Sequence, residues 1–361
     1  MKNKKGLIIL CVLAGISLIL GGTSFVKKIK DKTLFKPSFS FSASNSLENF
    51  DEDFEDETSS GMNKILSLCR GNKKEEVSPS TKKPYVAVIY ITGVISEANE
   101  TYNQKWLLKQ IKKAAENQNN RGILLCIDSP GGTVYESDEA YLALKDYHES
   151  TNRPVLSYFG SLTASGGYYI ACASEYIYAN RNCLTGSIGV IAGEHIDITG
   201  LLDKAGIRMT TITTGKNKNM GNVNEPLSKE QREIMQSIAD EAYEQFTEIV
   251  ADSRKMKIEE VRKLADGRIY TAKQAKKNGL INEICSFEKA KDEIRNHFLK
   301  NSDNDDSEKK GEEVEFVEYK YYYEENLLSL FKGISSFIKD PTSAVYKATR
   351  LPAAKCFYLY R

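Results

Sequence analysis

The chain has 361 residues, 50 Lys plus Arg against 49 Asp plus Glu, and 41% hydrophobic residues. That length supports one sizeable core with room for a second small unit, and a net charge of +1 carries no electrostatic footprint for nucleic acid. The seven cysteines are an odd number with no CxxC pair, so neither a metal motif nor a disulfide framework reads from them, and any histidine chemistry must use His148, His195 or His297.

Met1–Lys5 leads into an uncharged run from Gly6 to Val26, long enough to span a bilayer and longer than the apolar core of a cleaved signal. No A-x-A site follows it, so residues 1–27 read as an uncleaved transmembrane anchor, with lysines on both flanks leaving its orientation open. Residues 28–83 are rich in Ser, Asp, Glu and Lys and read as a flexible stalk. A globular domain is expected over residues 84–300, then an acidic linker and a tail over 301–361.

Within the globular part, Tyr85–Ile91 is a β-branched run that reads as a buried strand. Thr101–Asn117 reads as a helix with Trp106, Leu107, Ile111 and Ala114 on one face. Gly122–Ile127 is a second strand, Glu136–Ser150 a helix, and Pro154–Phe159 a third strand. Short strands are expected at Glu175–Ala179, Ile188–Ile191 and Arg208–Thr213, with a helix at Ile198–Ala205. A polar loop, Gly215–Pro226, precedes a long helix from Ser228 to about Lys255, its apolar face running from Ile234 to Val250. Thr271 and Gln274 form a capping box, Gly279 a helix stop, and Leu280–Ile284 a closing strand. Strands alternating with helices at this spacing predict an α/β fold with a largely parallel sheet.

Two stretches carry the chemistry. Asp128-Ser-Pro-Gly-Gly132 follows one strand, and Ala164-Ser165-Gly166-Gly167 follows another at a strand-to-helix turn. In a parallel sheet with right-handed crossovers both turns lie at the carboxyl edge. A hydroxyl at one strand end with backbone N–H groups at the next is what acyl transfer requires.

These residues resemble a known family. Ile-Asp-Ser-Pro-Gly-Gly, Ala-Ser-Gly-Gly-Tyr-Tyr, Leu184–Val190, the Gly-x-x-Lys of Gly215–Lys218, Asp-Gly-Arg-x-Tyr and Gln-Ala-Lys-Lys-Asn-Gly-Leu look, in order and spacing, like the bacterial signal peptide peptidase A family. The resemblance covers roughly Tyr85 to Ile284 and implies the Clp protease/crotonase fold. It also implies a membrane-anchored serine endopeptidase with Ser165 as nucleophile, Lys218 as general base, and the Gly131 and Gly166 amides in the oxyanion hole. Family members assemble into rings or domes in which Ser and Lys come from adjacent protomers, so a homo-oligomer with shared sites is implied. So are signal-peptide remnants and other membrane-associated peptides as substrates, cleaved outside the cytoplasm. No metal or other cofactor is implied.

A lysine base makes its own demand. Free lysine titrates at ~10.4, so only about one in 2,500 is neutral at pH 7. A lysine base must be desolvated or set beside another cation, which a second subunit would provide better than a polar loop does. Three rivals stand beside this reading. A Ser-His-Asp arrangement would use His195 and Asp197; a crotonase-type acyl-CoA enzyme would share the fold and the oxyanion amides; a membrane scaffold would keep the fold without activity. The C-terminal Phe357 and Leu359 are spaced by two, which suits two pockets of a strand-binding cleft.

Overall fold

The computed structural model describes residues 83–298, 314–323 and 357–359. The chain divides into two units, Met1–Lys74 and Glu75–Arg361, and every described residue belongs to the second. The expected anchor, stalk and acidic linker lie outside the described residues, among which no helix is long and apolar enough to cross a membrane.

The order of elements is β1 (Tyr85–Thr92), α1 (Gln104–Glu116), β2 (Asn120–Ser129), β3 (Gly131–Thr133), α2 (Val134–Thr151), β4 (Val155–Ala164), α3 (Gly166–Ala171), β5 (Tyr176–Ala179) and β6 (Leu184–Gly186). Then come α4 (Thr199–Lys204), α5 (Lys229–Arg254), α6 (Ile258–Leu264), β7 (Ile269–Thr271), α7 (Ala272–Lys277), β8 (Glu283–Ile284), α8 (Phe287–Glu293), β9 (Glu315–Tyr319) and β10 (Phe357–Leu359).

Eight strands form one sheet with the path β7-β6-β4-β2-β1-β9, and β5 pairs with both β4 and β8. Every pairing in it is parallel except β6 with β7. The central strands read as unbroken apolar runs because both faces are covered. Tyr85, Ala87, Ile89 and Ile91 of β1 enter the larger core, with Leu107, Ile111, Leu144 and Phe246 from the helices. Val86 and Val88 enter a smaller core on the other face, closed by Ala290 and Ile294 at α8 and the turn after it. Each fully buried aliphatic side chain contributes roughly 1.5–3 kcal/mol. The predicted α/β architecture with a mostly parallel sheet is thus present.

The starts of the helices follow capping chemistry. Asn103 caps α1 by accepting from the Trp106 N–H, and Ser228 with Gln231 and Thr271 with Gln274 form capping boxes at α5 and α7. Several expectations are corrected. The strand expected at Ile188–Ile191 lies earlier, at Leu184–Gly186, and Arg208–Thr213 forms no strand because no sheet edge runs beside it. The helix α5 buries Phe246, Thr247, Val250 and Ala251 in its second half, whereas Ile238 in its first half is exposed. β9, unforeseen within the linker and tail region, adds parallel to the β1 edge.

Candidate active site

β2, β4 and β6 run parallel, so their carboxyl ends, Ser129, Ala164 and Gly186, come out at one edge. Ser165 joins β4 to α3. Its φ of 53° and ψ of −118° lie in a region that favours glycine, a strain of about 1–3 kcal/mol. The surroundings hold it there. The Ser165 N–H donates to Gly186 O at 2.8 Å, and Ser165 O accepts from the Tyr169 N–H at 2.9 Å. Small neighbours let α3 close on β2: a Cβ at Gly167 would come within 3.3 Å of Ser129 O. The Tyr168 hydroxyl donates to Leu280 O at 2.7 Å, and the Tyr169 hydroxyl to Asp138 at 2.6 Å. Ser165 is buried, and its Oγ has no hydrogen-bond partner among the described residues. Gly166 opens α3, so its N–H has no intrahelical acceptor.

The strand beside it is β3, which the sequence reading treated as a turn. One edge pairs with the loop after β1: the Ile95 N–H donates to Gly131 O at 2.8 Å, and the Thr133 N–H to Ile95 O at 3.0 Å. Alternation along a strand therefore turns the Gly132 N–H and C=O to the opposite edge. β10 occupies that edge, antiparallel, in the register Phe357↔Thr133, Tyr358↔Gly132 and Leu359↔Gly131. Gly131, the oxyanion donor expected from the sequence, has φ 100° and gives its N–H to Ser129 Oγ at 3.1 Å. Ser129 Oγ in turn donates to Gly93 O at 2.7 Å. Gly132 was legible in the motif, but the edge of β3 to which its amide turns was not.

Lys218 lies in an exposed turn, its N–H closing back on Gly215 O at 3.1 Å. No hydrogen bond joins it to Ser165 within this chain. The histidine rival is not assembled either. Both ring nitrogens of His195 are buried without a partner among the described residues, and Asp197 accepts instead from the N–H and hydroxyl of Thr199, at 2.9 and 2.6 Å. Those bonds hold the Asp197 carboxyl below its usual range. The thiols nearest in sequence, Cys172 and Cys183, are pushed up to about 12 by burial, which keeps them protonated and unreactive.

Residues 148–300 match the model described as "Peptidase family S49". The "Putative signal peptide peptidase SppA" of Enterococcus faecium is 33% identical over 276 residues, which are 74% of this chain and 76% of that one. "Protease 4" of Salmonella typhi is 31% identical over 218 residues, 59% of this chain and 34% of that one. Among solved structures, a mutant ClpP1 from Listeria monocytogenes matches with a TM-score of 0.39 and 18% identity, covering 56% of this chain and 92% of that one. With a strained serine at the sheet edge, a match to the S49 peptidase model, and a 33% identical signal peptide peptidase matched over three quarters of its length, the chain belongs to the signal peptide peptidase A family of S49 serine peptidases.

Proposed function

We propose that this protein is a membrane-anchored endopeptidase that binds apolar peptides as an added strand on β3 and cleaves them with Ser165 and Lys218. The observation that carries this reading is the pairing of β10 with β3. An extended segment lies antiparallel on the edge to which Gly132 turns its amide, one strand from the buried Ser165 hydroxyl. Main-chain bonds of this kind provide affinity without regard to sequence, and alternate side chains provide selectivity. In the register of that pairing Leu359 stands opposite Gly131 and Phe357 opposite Thr133. A signal-peptide remnant, apolar and unfolded, fits that cleft, which faces outside the cytoplasm in this reading.

The Ser165 Oγ attacks the peptide carbonyl while a neutral lysine takes its proton. The oxyanion is received by the Gly132 and Gly166 amides, because the Gly131 amide is spent on Ser129. The proton then passes to the leaving amine, and water repeats the sequence on the acyl-enzyme. The base comes from a second copy of the chain. Lys218 lies in a segment that exposes Ile196, Leu201, Ile207, Met209 and Ile212, and α5 exposes Ile238. An apolar patch of that kind marks an interface, and covering it would also dry the lysine.

The test is complementation. Ser165→Ala and Lys218→Ala are each inactive alone in this reading, and co-assembling them restores turnover of a fluorogenic apolar peptide at sites that combine an intact Ser165 with a neighbour's intact Lys218. No recovery in a verified mixed oligomer would refute the shared site. Labelling of the wild type, but not Ser165→Ala, by a fluorophosphonate separates a peptidase from an inactive scaffold.

A further inference from the structure

The loop that carries Lys218 is fastened by two carboxylates, and neither of them reaches Lys218. Gly215, at φ 87°, opens the turn closed by the Lys218 N–H, and a second turn follows in which the Met220 N–H donates to Asn217 O at 3.1 Å. Glu230, in the first turn of α5, accepts from Asn217 Nδ2 at 3.2 Å with one oxygen and from Lys216 Nζ with the other. Glu225 accepts from Asn219 Nδ2 at 2.6 Å. The residues on either side of Lys218 are therefore each tied to a carboxylate, while the Lys218 side chain has no ion-pair partner among the described residues.

We propose that Glu230 is a positioning residue for the base, anchoring the loop to α5 while Lys216 neutralises its charge and so keeps it from capturing Lys218. This rests on Lys218 being the base. The physical reasons are two. Gly215, Lys216 and Lys218 are exposed, so without the anchor the loop would sample many arrangements, and a misplacement of about 1 Å costs up to ~100-fold in rate. In addition, an unpaired carboxylate within about 4–6 Å would favour the protonated lysine, which cannot act as a base.

The charge balance around the loop supports this assignment. Lys229 pairs with Glu233 at 3.7 Å, Arg232 donates to Leu227 O at 3.3 Å, and Asp197 is turned to Thr199. The hydrogen bonds from Lys216 and Asn217 hold the Glu230 carboxyl below the usual range, so it stays ionised wherever the enzyme is assayed.

The test uses the assembled protein at low salt, with the pH dependence of kcat on a fluorogenic apolar peptide. Lys216→Ala leaves Glu230 unpaired and should move the rising limb to higher pH by about half a unit, a loss of roughly threefold at pH 7 that is regained at higher pH. Glu230→Gln leaves Lys216 unpaired while keeping an acceptor for Asn217, and should move the limb by about as much to lower pH. The double variant should return close to wild type. Glu230→Ala, which loses the anchor as well, should lower kcat about tenfold with little change in KM. A loop with a merely structural role would lose activity in all four variants with no shift of opposite sign. Shifts of the same sign, or none, in Lys216→Ala and Glu230→Gln overturn the proposal, and those two surface variants decide it even if Glu230→Ala fails to fold. An active Lys218→Ala would instead overturn the base assignment itself. An inactive Lys218→Ala with no opposite shifts overturns only the role of Glu230.

Discussion

Gly132 is where the cleft strand lies closest to its neighbour, and replacing it with alanine tests whether β3 positions the reaction. A Cβ at Gly132 would lie 1.8 Å from Ile95 O, 2.6 Å from its carbonyl carbon and 2.7 Å from its nitrogen. All three are backbone atoms, so no change of rotamer relieves the clash, and β3 must withdraw by more than about 1 Å to reach ordinary contact. That movement breaks the bonds from the Ile95 N–H to Gly131 O and from the Thr133 N–H to Ile95 O, at 2.8 and 3.0 Å. Two such bonds at about 1 kcal/mol each, with ~1–3 kcal/mol of overpacking, sum to about 3–5 kcal/mol. For a domain of this size that is a fall in Tm of roughly 10 °C. Under the proposed role of the Gly132 amide in receiving the oxyanion, the same withdrawal should cost about 100-fold or more in kcat. Thermal unfolding and peptide turnover of Gly132→Ala, measured on the same preparation, check both numbers. Wild-type Tm and turnover together would refute the account of β3.

Other outcomes follow from single residues. Lys218→Ala should be as inactive as Ser165→Ala, with Lys218→Arg giving no rescue because guanidinium cannot accept a proton, and His195→Ala should be mild; a dead His195→Ala beside an active Lys218→Ala would reverse the assignment. Ser165→Gly should be inactive yet more stable than Ser165→Ala by about 1 kcal/mol, since glycine relieves the backbone strain at φ 53°; equal stability by denaturant unfolding would show that the turn is not strained. Deleting Leu351–Arg361 should raise or preserve peptidase activity by clearing the β3 edge, and a loss of folding would assign β10 a packing role instead. Burial raises the Cys126, Cys172 and Cys183 thiols from 9.0 to about 12, so between those values they are neutral in the folded chain and ionised in the unfolded one. Their contribution to stability is complete below pH 9 and is lost as the pH rises toward 12; denaturant midpoints that stay flat from pH 8 to 11 would count against it.

Much of the fold was legible because its signals are local. The apolar, β-branched runs at Tyr85–Ile91 and Gly122–Ile127 read as buried strands and form them, and Ser228 with Gln231 writes the start of α5 into four residues. Strand β9 was not legible, because a five-residue edge strand carrying two glutamates, Glu315 and Glu318, owes its form to the neighbouring β1 and not to its own composition. Arg208–Thr213 shows the reverse: β-branched residues read as a strand, but no sheet edge is there to receive them.

At the site, the residue types and their order came from the chain alone. A serine between Ala164 and two glycines and a Pro-Gly-Gly turn one strand away offered a hydroxyl and backbone N–H groups, and the family resemblance, with the Gly-x-x-Lys further on, implied their roles as nucleophile, amide donor and base. What only the tertiary structure decided is which way these groups face. Whether Gly131 or Gly132 turns its amide to the cleft depends on which edge of β3 the Ile95 backbone occupies, and that pairing joins segments 36 residues apart. The isolation of Lys218 likewise depends on Glu230, fourteen residues from Lys216, taking the neighbouring cation. Local sequence sets backbone preference and chemical type, but hydrogen-bond direction and the pairing of charges are set by whichever groups the fold brings within about 3–4 Å.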